Sequence, residues 1–250
     1  MAEYLVYFNQ QWVGDHTEEW FLSRVEPSIA AVHELEVAGV LVYAGGLEEG
    51  APVHSADATS GELLVTDGPY VETKEHLGGL AIIEVASEDE ARRWAGRLAE
   101  GCGWPQEVRL FKSRPDGITG RRSTELAAGP GTTEYLIYFA QQWVGDHPLE
   151  WFVSRGPLAM AVVRDMEAAG VLVYTGGLEE EIEDAFSADA TSGEVLVTDG
   201  PYVETKEFLG GLAIVDVATE DEARTWAGRI AEACGWPQEV RRFGRRPDRA

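Results

Sequence analysis

The chain has 250 residues, enough for one large domain or two of roughly 100 to 150 residues each. Its apolar fraction of 44% and charged fraction of 26% are those of a folded globular protein and argue against long disorder. A net charge of -24 repels phosphate backbones and anionic lipid at long range, so neither nucleic acid nor a membrane surface is an expected partner.

Met1 leads almost directly into an apolar segment with no basic leader, and no apolar run approaches the ~20 residues needed to cross a bilayer, so a cytoplasmic protein is expected. Tyr4 to Phe8 is a short apolar and aromatic run suited to a strand. From about Thr17 to Ala38, Trp20, Phe21, Ile29, Val32 and Leu35 recur at spacings of three and four and the pattern stops at Gly39. This predicts an amphipathic helix, with Val25, Glu26 and Pro27 as a point of early breakage. Val40 to Tyr43, Glu62 to Thr66 and Leu80 to Val85 read as strands bounded by Gly, Asp or Ser. Ser87 with Glu90 forms a capping box ahead of the stripe Ala91, Trp94, Ala95 and Leu98, and Gly101 and Gly103 end that helix. Glu107 to Phe111 alternates like a last strand. The order β-α-β-β-β-α-β is ferredoxin-like with an extra hairpin strand. A four-stranded sheet with both helices on one face leaves its other face needing cover.

The whole unit then repeats. EYLVYFNQQWVGDH at Glu3 returns as EYLIYFAQQWVGDH at Glu134, SADATSGELLVTDGPYVETKEHLGGLAII at Ser55 returns almost unchanged at Ser187, and WAGRLAEGCGWPQEVR at Trp94 returns at Trp226. Two domains, 1–112 and 134–250, are therefore expected, joined by a linker at 113–133 rich in Gly, Pro, Thr and Arg. That linker reaches roughly 60 to 70 Å when extended. Cys102 and Cys234 occupy equivalent positions without a C-x-x-C partner and read as buried free thiols.

At Asp67-Gly68-Pro69-Tyr70, continued by Val71-Glu72-Thr73-Lys74-Glu75 and Leu77-Gly78-Gly79, the sequence resembles the YCII-related family in its DGPF subgroup. The second copy carries the same pattern at Asp199 to Tyr202, Glu204 to Glu207 and Leu209 to Gly211. The resemblance implies an α+β fold of the dimeric α+β barrel superfamily. Two ferredoxin-like units would pair sheet to sheet, here as an intrachain pseudo-dimer with an internal two-fold axis. Relatives are thought to include small-molecule enzymes, among them a dehydrochlorinase of aromatic breakdown, and DGPF proteins are associated with sigma-factor genes. The family's candidate catalytic histidine and aspartate fall on Ser28 and Val37 in the first copy and on Ala159 and Ala168 in the second, so that mechanism does not carry across.

Of the five histidines only His16 and His147 match between the copies, each after Gly-Asp at the presumed start of helix one. There an imidazole can act as general base, with Asp67 and Asp199 orienting it or fixing the DGP turn. The structural alternative makes Asp15 and Asp146 helix caps and the histidine part of a polar corner. Glu19 and Glu150 share a helical face with these histidines, but two ligands do not make a metal site, and neither metal nor cofactor is expected. Gln11 and Trp12, with Gln142 and Trp143, place an amide and an indole beyond the first strand. Tyr70, Glu72 and Lys74, with Tyr202, Glu204 and Lys206, line the DGPY loop, and together these are the expected ligand contacts. The expected activity is that of a cofactor-independent small-molecule enzyme of lyase or isomerase type, with a pocket between helix one and the sheet in each half. The rival expectation is a non-catalytic ligand-binding or regulatory module associated with transcriptional control.

Overall fold

A computed structural model of the chain describes residues 1–71, 76–113, 131–203 and 208–244. In the first copy the elements run β1 (Ala2–Asn9), a one-turn α1 (Gln10–Val13), α2 (Glu18–Val37), β2 (Leu41–Gly46), β3 (His54–Asp57), β4 (Leu64–Asp67), β5 (Leu77–Val85), α3 (Glu88–Cys102) and β6 (Gln106–Leu110). The second copy repeats them as β7 (Thr133–Ala140), a 3-10 turn at Gln141–Trp143, α4 (Leu149–Ala168), β8 (Leu172–Gly177), a 3-10 turn at Ile182–Asp184, β9 (Phe186–Asp189), β10 (Leu196–Asp199), β11 (Leu209–Val217), α5 (Glu220–Cys234) and β12 (Gln238–Arg242).

Strand β1 is apolar on both faces because both are covered. Tyr4 and Val6 pack with Ala31 and Leu35 of α2 and with Ala91, Ala95, Leu98 and Ala99 of α3. Leu5 and Tyr7 point the other way and meet Leu136, Tyr138, Tyr174, Leu212 and Ile214 of the second copy. The two copies thus pair sheet to sheet within one chain, helices outside, as an α+β pseudo-dimer.

The sheets are larger than the sequence suggests. Each has six strands, in the orders β10-β9-β6-β1-β5-β2 and β4-β3-β12-β7-β11-β8. The hairpin of each copy has left its own sheet and extended its neighbour's: His54, Ser55 and Ala56 pair with Val240, Glu239 and Gln238, while Phe186, Ser187 and Ala188 pair with Val108, Glu107 and Gln106. Just before each hairpin the chain bridges the sheets, Leu47 to Phe243 and Leu178 to Phe111, which closes the eight remaining strands into a barrel. The expected four-stranded sheet is corrected accordingly: β3 was not foreseen, because HSAD lacks an apolar alternation and finds its ladder only on the other copy.

Two local expectations also change. Pro27 and Pro157 lie inside α2 and α4 without ending them. A proline removes one donor, but α2 is held along its length by α3, where Gly101 sits against Ala31 and the Pro27 carbonyl so closely that a Cβ there would stand 2.8 Å from each. Asp15 and Asp146 are not caps: Thr17 accepts from the Trp20 N–H, and α4 starts at Leu149 behind Pro148, which offers no side-chain cap. The capping box of α3 forms as expected, Ser87 accepting from Glu90 N–H while the Glu90 carboxylate reaches back to Ala86 N–H, and Thr219 with Glu222 repeats it on α5.

Candidate functional site

Charged side chains enter the barrel from its last strands. On β6, Val108 faces the helices, so its neighbours Glu107 and Arg109 must face inward, where they are 0% and 2% exposed. Burying such groups costs several kcal/mol each unless they are paired and hydrogen-bonded, and both are. The Tyr7 hydroxyl donates to one Glu107 oxygen, and the backbone N–H of Tyr202, from the DGPY turn of the other copy, donates to the second at 3.1 Å. Arg109 donates to the carbonyls of Glu179 (2.6 Å) and Leu209 (3.4 Å) and lies over the Phe208 ring, 5.1 Å from its centre. Trp12 closes the group, with ring centres 5.9 Å from Tyr7 and 5.2 Å from Tyr202.

The other junction repeats the arrangement with the copies exchanged. Tyr138 donates to Glu239 at 2.5 Å, Tyr70 N–H donates to its other oxygen at 3.3 Å, and Trp143 stands 5.2 Å from Tyr70 and 6.0 Å from Tyr138. Among the described residues, the buried Trp143 Nε1 has no hydrogen-bond partner. Arg241 sits close enough to act on both Tyr138 and His76, the residue that replaces Phe208. Burial first, and then the facing carboxylate, hold both Tyr7 and Tyr138 well above the ordinary tyrosine range, so their hydroxyls stay protonated donors.

Beside the first junction lies a cleft of about 420 Å³ that Arg109 also lines, with Tyr4, Glu88, Arg92, Phe186 and Asp199 among its walls. Asp199, expected to orient a histidine or fix the DGP turn, pairs with Arg92 at 2.7 Å. Its counterpart Asp67 contacts His54 at 3.1 Å and Arg224 at 3.4 Å.

The residues singled out in the sequence are therefore split. Trp12, Trp143, Tyr70 and Tyr202 converge on the buried groups, each tryptophan meeting the tyrosine of the opposite copy. Gln11 and Gln142 buttress them, accepting from the backbone N–H of His76 (2.9 Å) and Phe208 (3.0 Å) at the end of the loop. His16 and His147 lie elsewhere: both are exposed and stack on Trp20 and Trp151, with ring centres 3.6 and 3.7 Å apart. Glu72, Lys74, Glu204 and Lys206 fall outside the described residues. Tyr7, Glu107 and Arg109, with Tyr138, Glu239 and Arg241, were missed. Their signal is the E-V-R repeat on the last strand, whose alternation marks two faces without saying which is dry.

The family model for the YCII-related domain matches residues 22–102 and again 156–234, well over half of the chain, and the chain belongs to that family. An "Uncharacterized protein" of Rhizobium meliloti (strain 1021) is 44% identical over 43 residues, 17% of this chain and 35% of the relative, so the alignment spans about a third of that protein's length. The crystal structure of a "Putative Chlorite dismutase" overlays with a TM-score of 0.45 at 7% identity, covering 98% of this chain and 96% of the other.

Proposed function

We propose that this YCII-related protein is a small-molecule enzyme of acid-base type, a lyase or isomerase, with one site at each junction between its copies. Glu107 and Glu239 would be the proton acceptors. Tyr7 and Tyr138 would donate a hydrogen bond or a proton to the oxygen on which charge develops, and Trp12 with Tyr202, and Trp143 with Tyr70, would wall the substrate. The observation that carries this reading is a carboxylate and a tyrosine buried in an apolar barrel at two equivalent places, with a buried guanidinium beside the first, where structural stability alone is served as well by apolar side chains.

The test is turnover of a hit from a thermal-shift screen of metabolites and aromatic acids. Glu107→Gln/Glu239→Gln is expected to lose about 10²- to 10⁴-fold in kcat, the ordinary range for a general base, while His16→Ala/His147→Ala keeps most of it. The reverse ranking would return the acid-base role to the histidines.

A second reading is favoured by one observation: Tyr7 and Glu107 are 3% and 0% exposed, which suits a latch for the DGPY turn. In that reading the protein is a ligand-binding or regulatory module associated with transcriptional control, and saturable ligand-induced rises in melting temperature come without product.

A further inference from the structure

The two junctions share a plan but not a charge. Residues 76 and 208 are held alike: Gln11 accepts from the His76 N–H at 2.9 Å and the Gln10 N–H donates to the His76 carbonyl at 2.6 Å, while Gln142 and the Gln141 N–H hold Phe208 at 3.0 and 2.8 Å. Two backbones fixed in the same way therefore present different side chains. Phe208 lies over Arg109, whose N–H groups already go to the carbonyls of Glu179 and Leu209, and Arg109 is almost sealed from solvent. Its counterpart Arg241 is half-buried, beside Tyr138 and an exposed His76. Tyr138 is likewise more open than Tyr7, at 8% against 3%.

The neighbouring loops differ in the same sense. From Glu179 to Asp184, beside Arg109, the chain carries five acidic residues, and Glu179, Glu181, Glu183 and Asp184 line the cleft there. The equivalent loop beside β12 carries Glu48 and Glu49, followed by Gly50-Ala51-Pro52. It is tied to β12 by the Glu48 N–H, which donates to the Arg242 carbonyl at 3.0 Å, and the Glu48 carboxylate is itself paired with the Arg242 guanidinium. An anion thus meets a wall of carboxylates at the first junction and a reachable guanidinium at the second.

We propose that residue 76 sets substrate charge: the Tyr138–Glu239 site takes a small organic acid, its carboxylate held by Arg241 and His76, and Phe208 with the acidic loop denies that place at the Tyr7–Glu107 site. A guanidinium takes a carboxylate through paired N–H groups, and an imidazole adds a donor in either charge state. Glu239 and Arg241 lie two residues apart on one face of β12, about 6 to 7 Å along the strand. An acid anchored at Arg241 leaves its far end near Glu239, and repulsion between carboxylates opposes the reverse orientation. The buried Trp143 Nε1, without a partner among the described residues, is a further donor at the same site. Conversion of the acid rests on the enzyme reading given above, whereas the preference for an anion does not.

The experiment titrates nitrogen-15-labelled full-length protein with benzoate and cinnamate and with the corresponding amides, which keep the shape and lose the charge. The indole N–H signals are assigned with Trp12→Phe and Trp143→Phe. The acids are expected to move the Trp143 signal saturably and to leave the Trp12 signal still. A charge-assisted pair should give an affinity of about 1 mM or better, so no movement of Trp143 at about 10 mM acid overturns the proposal. Equal responses to acid and amide overturn it too, as do equal responses of Trp12 and Trp143. His76→Phe, which installs the residue the other junction already uses, is expected to weaken acid binding about tenfold, the loss of one hydrogen bond to a charged group. Unchanged affinity in that variant removes residue 76 from the role. Turnover is read separately: an acid bound at Trp143 and never converted ends the enzyme reading and keeps the anion site, and conversion of uncharged substrates alone does the reverse.

Discussion

Tyr7 and Tyr138 are held above the ordinary tyrosine range, by burial first and by a carboxylate second, which fixes the sign of a stability effect at high pH. The unfolded chain gives up these protons near pH 10 while the folded chain keeps them, so stability is complete below that range and falls as pH climbs through it. Spectrophotometric titration is expected to show two tyrosines that ionise only as the protein unfolds. Removing the donor alone, Tyr7→Phe, is expected to cost about 1 to 3 kcal/mol in denaturant melts because Glu107 loses a buried partner. Combined with Glu107→Leu the cost should be less than the sum. The cysteines behave differently: burial pushes both Cys102 and Cys234 up to about 12, so neither offers appreciable thiolate near pH 8. A thiol reagent should label Cys234 only after unfolding, which agrees with the sequence reading of a buried thiol, whereas Cys102 is only half-buried and should react slowly near pH 8.

Elements were legible where local chemistry set them. The capping box at Ser87 and the stripe behind it are self-contained, and the structure returns both. Ser87→Ala is expected to cost about 1 kcal/mol, seen as a lowered melting temperature. Helix α2 was legible in extent but not in detail, since its cap is Thr17 and its proline is tolerated by packing against α3. In β5 the Gly-Gly pair reads as a turn signal in the sequence, yet it is a packing requirement within the strand. A Cβ at Gly78 would collide with the Phe8 ring, and one at Gly210 with Phe139. Gly78→Ala should therefore destabilise by about 1 to 3 kcal/mol through overpacking, and a melt no lower than that of the native protein would contradict the contact. Strand β3 was invisible because its register is supplied by β12, nearly two hundred residues away in sequence.

At the scale of the molecule, the exchange of hairpins and the closed barrel make each copy dependent on the other. A single copy expressed alone, residues 1–113, would expose Leu5, Tyr7, Tyr43, Leu80 and Ile82 along an uncovered sheet face. It is expected to appear in solution as a dimer that rebuilds the barrel, and a stable monomer by light scattering would contradict the packing described. By itself the sequence determined the repeat, the family, the order of most elements and the aromatic and DGPY residues that gather at the junctions, because periodicity, caps and turn chemistry act over a few neighbouring residues. The tertiary structure decided which copy each of these residues serves and which face of the last strand is dry. Trp12 meets Tyr202 rather than Tyr70, and Glu107 faces the barrel rather than water, because strand pairing across the two-fold is set by the burial of both sheets at once, which no local pattern encodes.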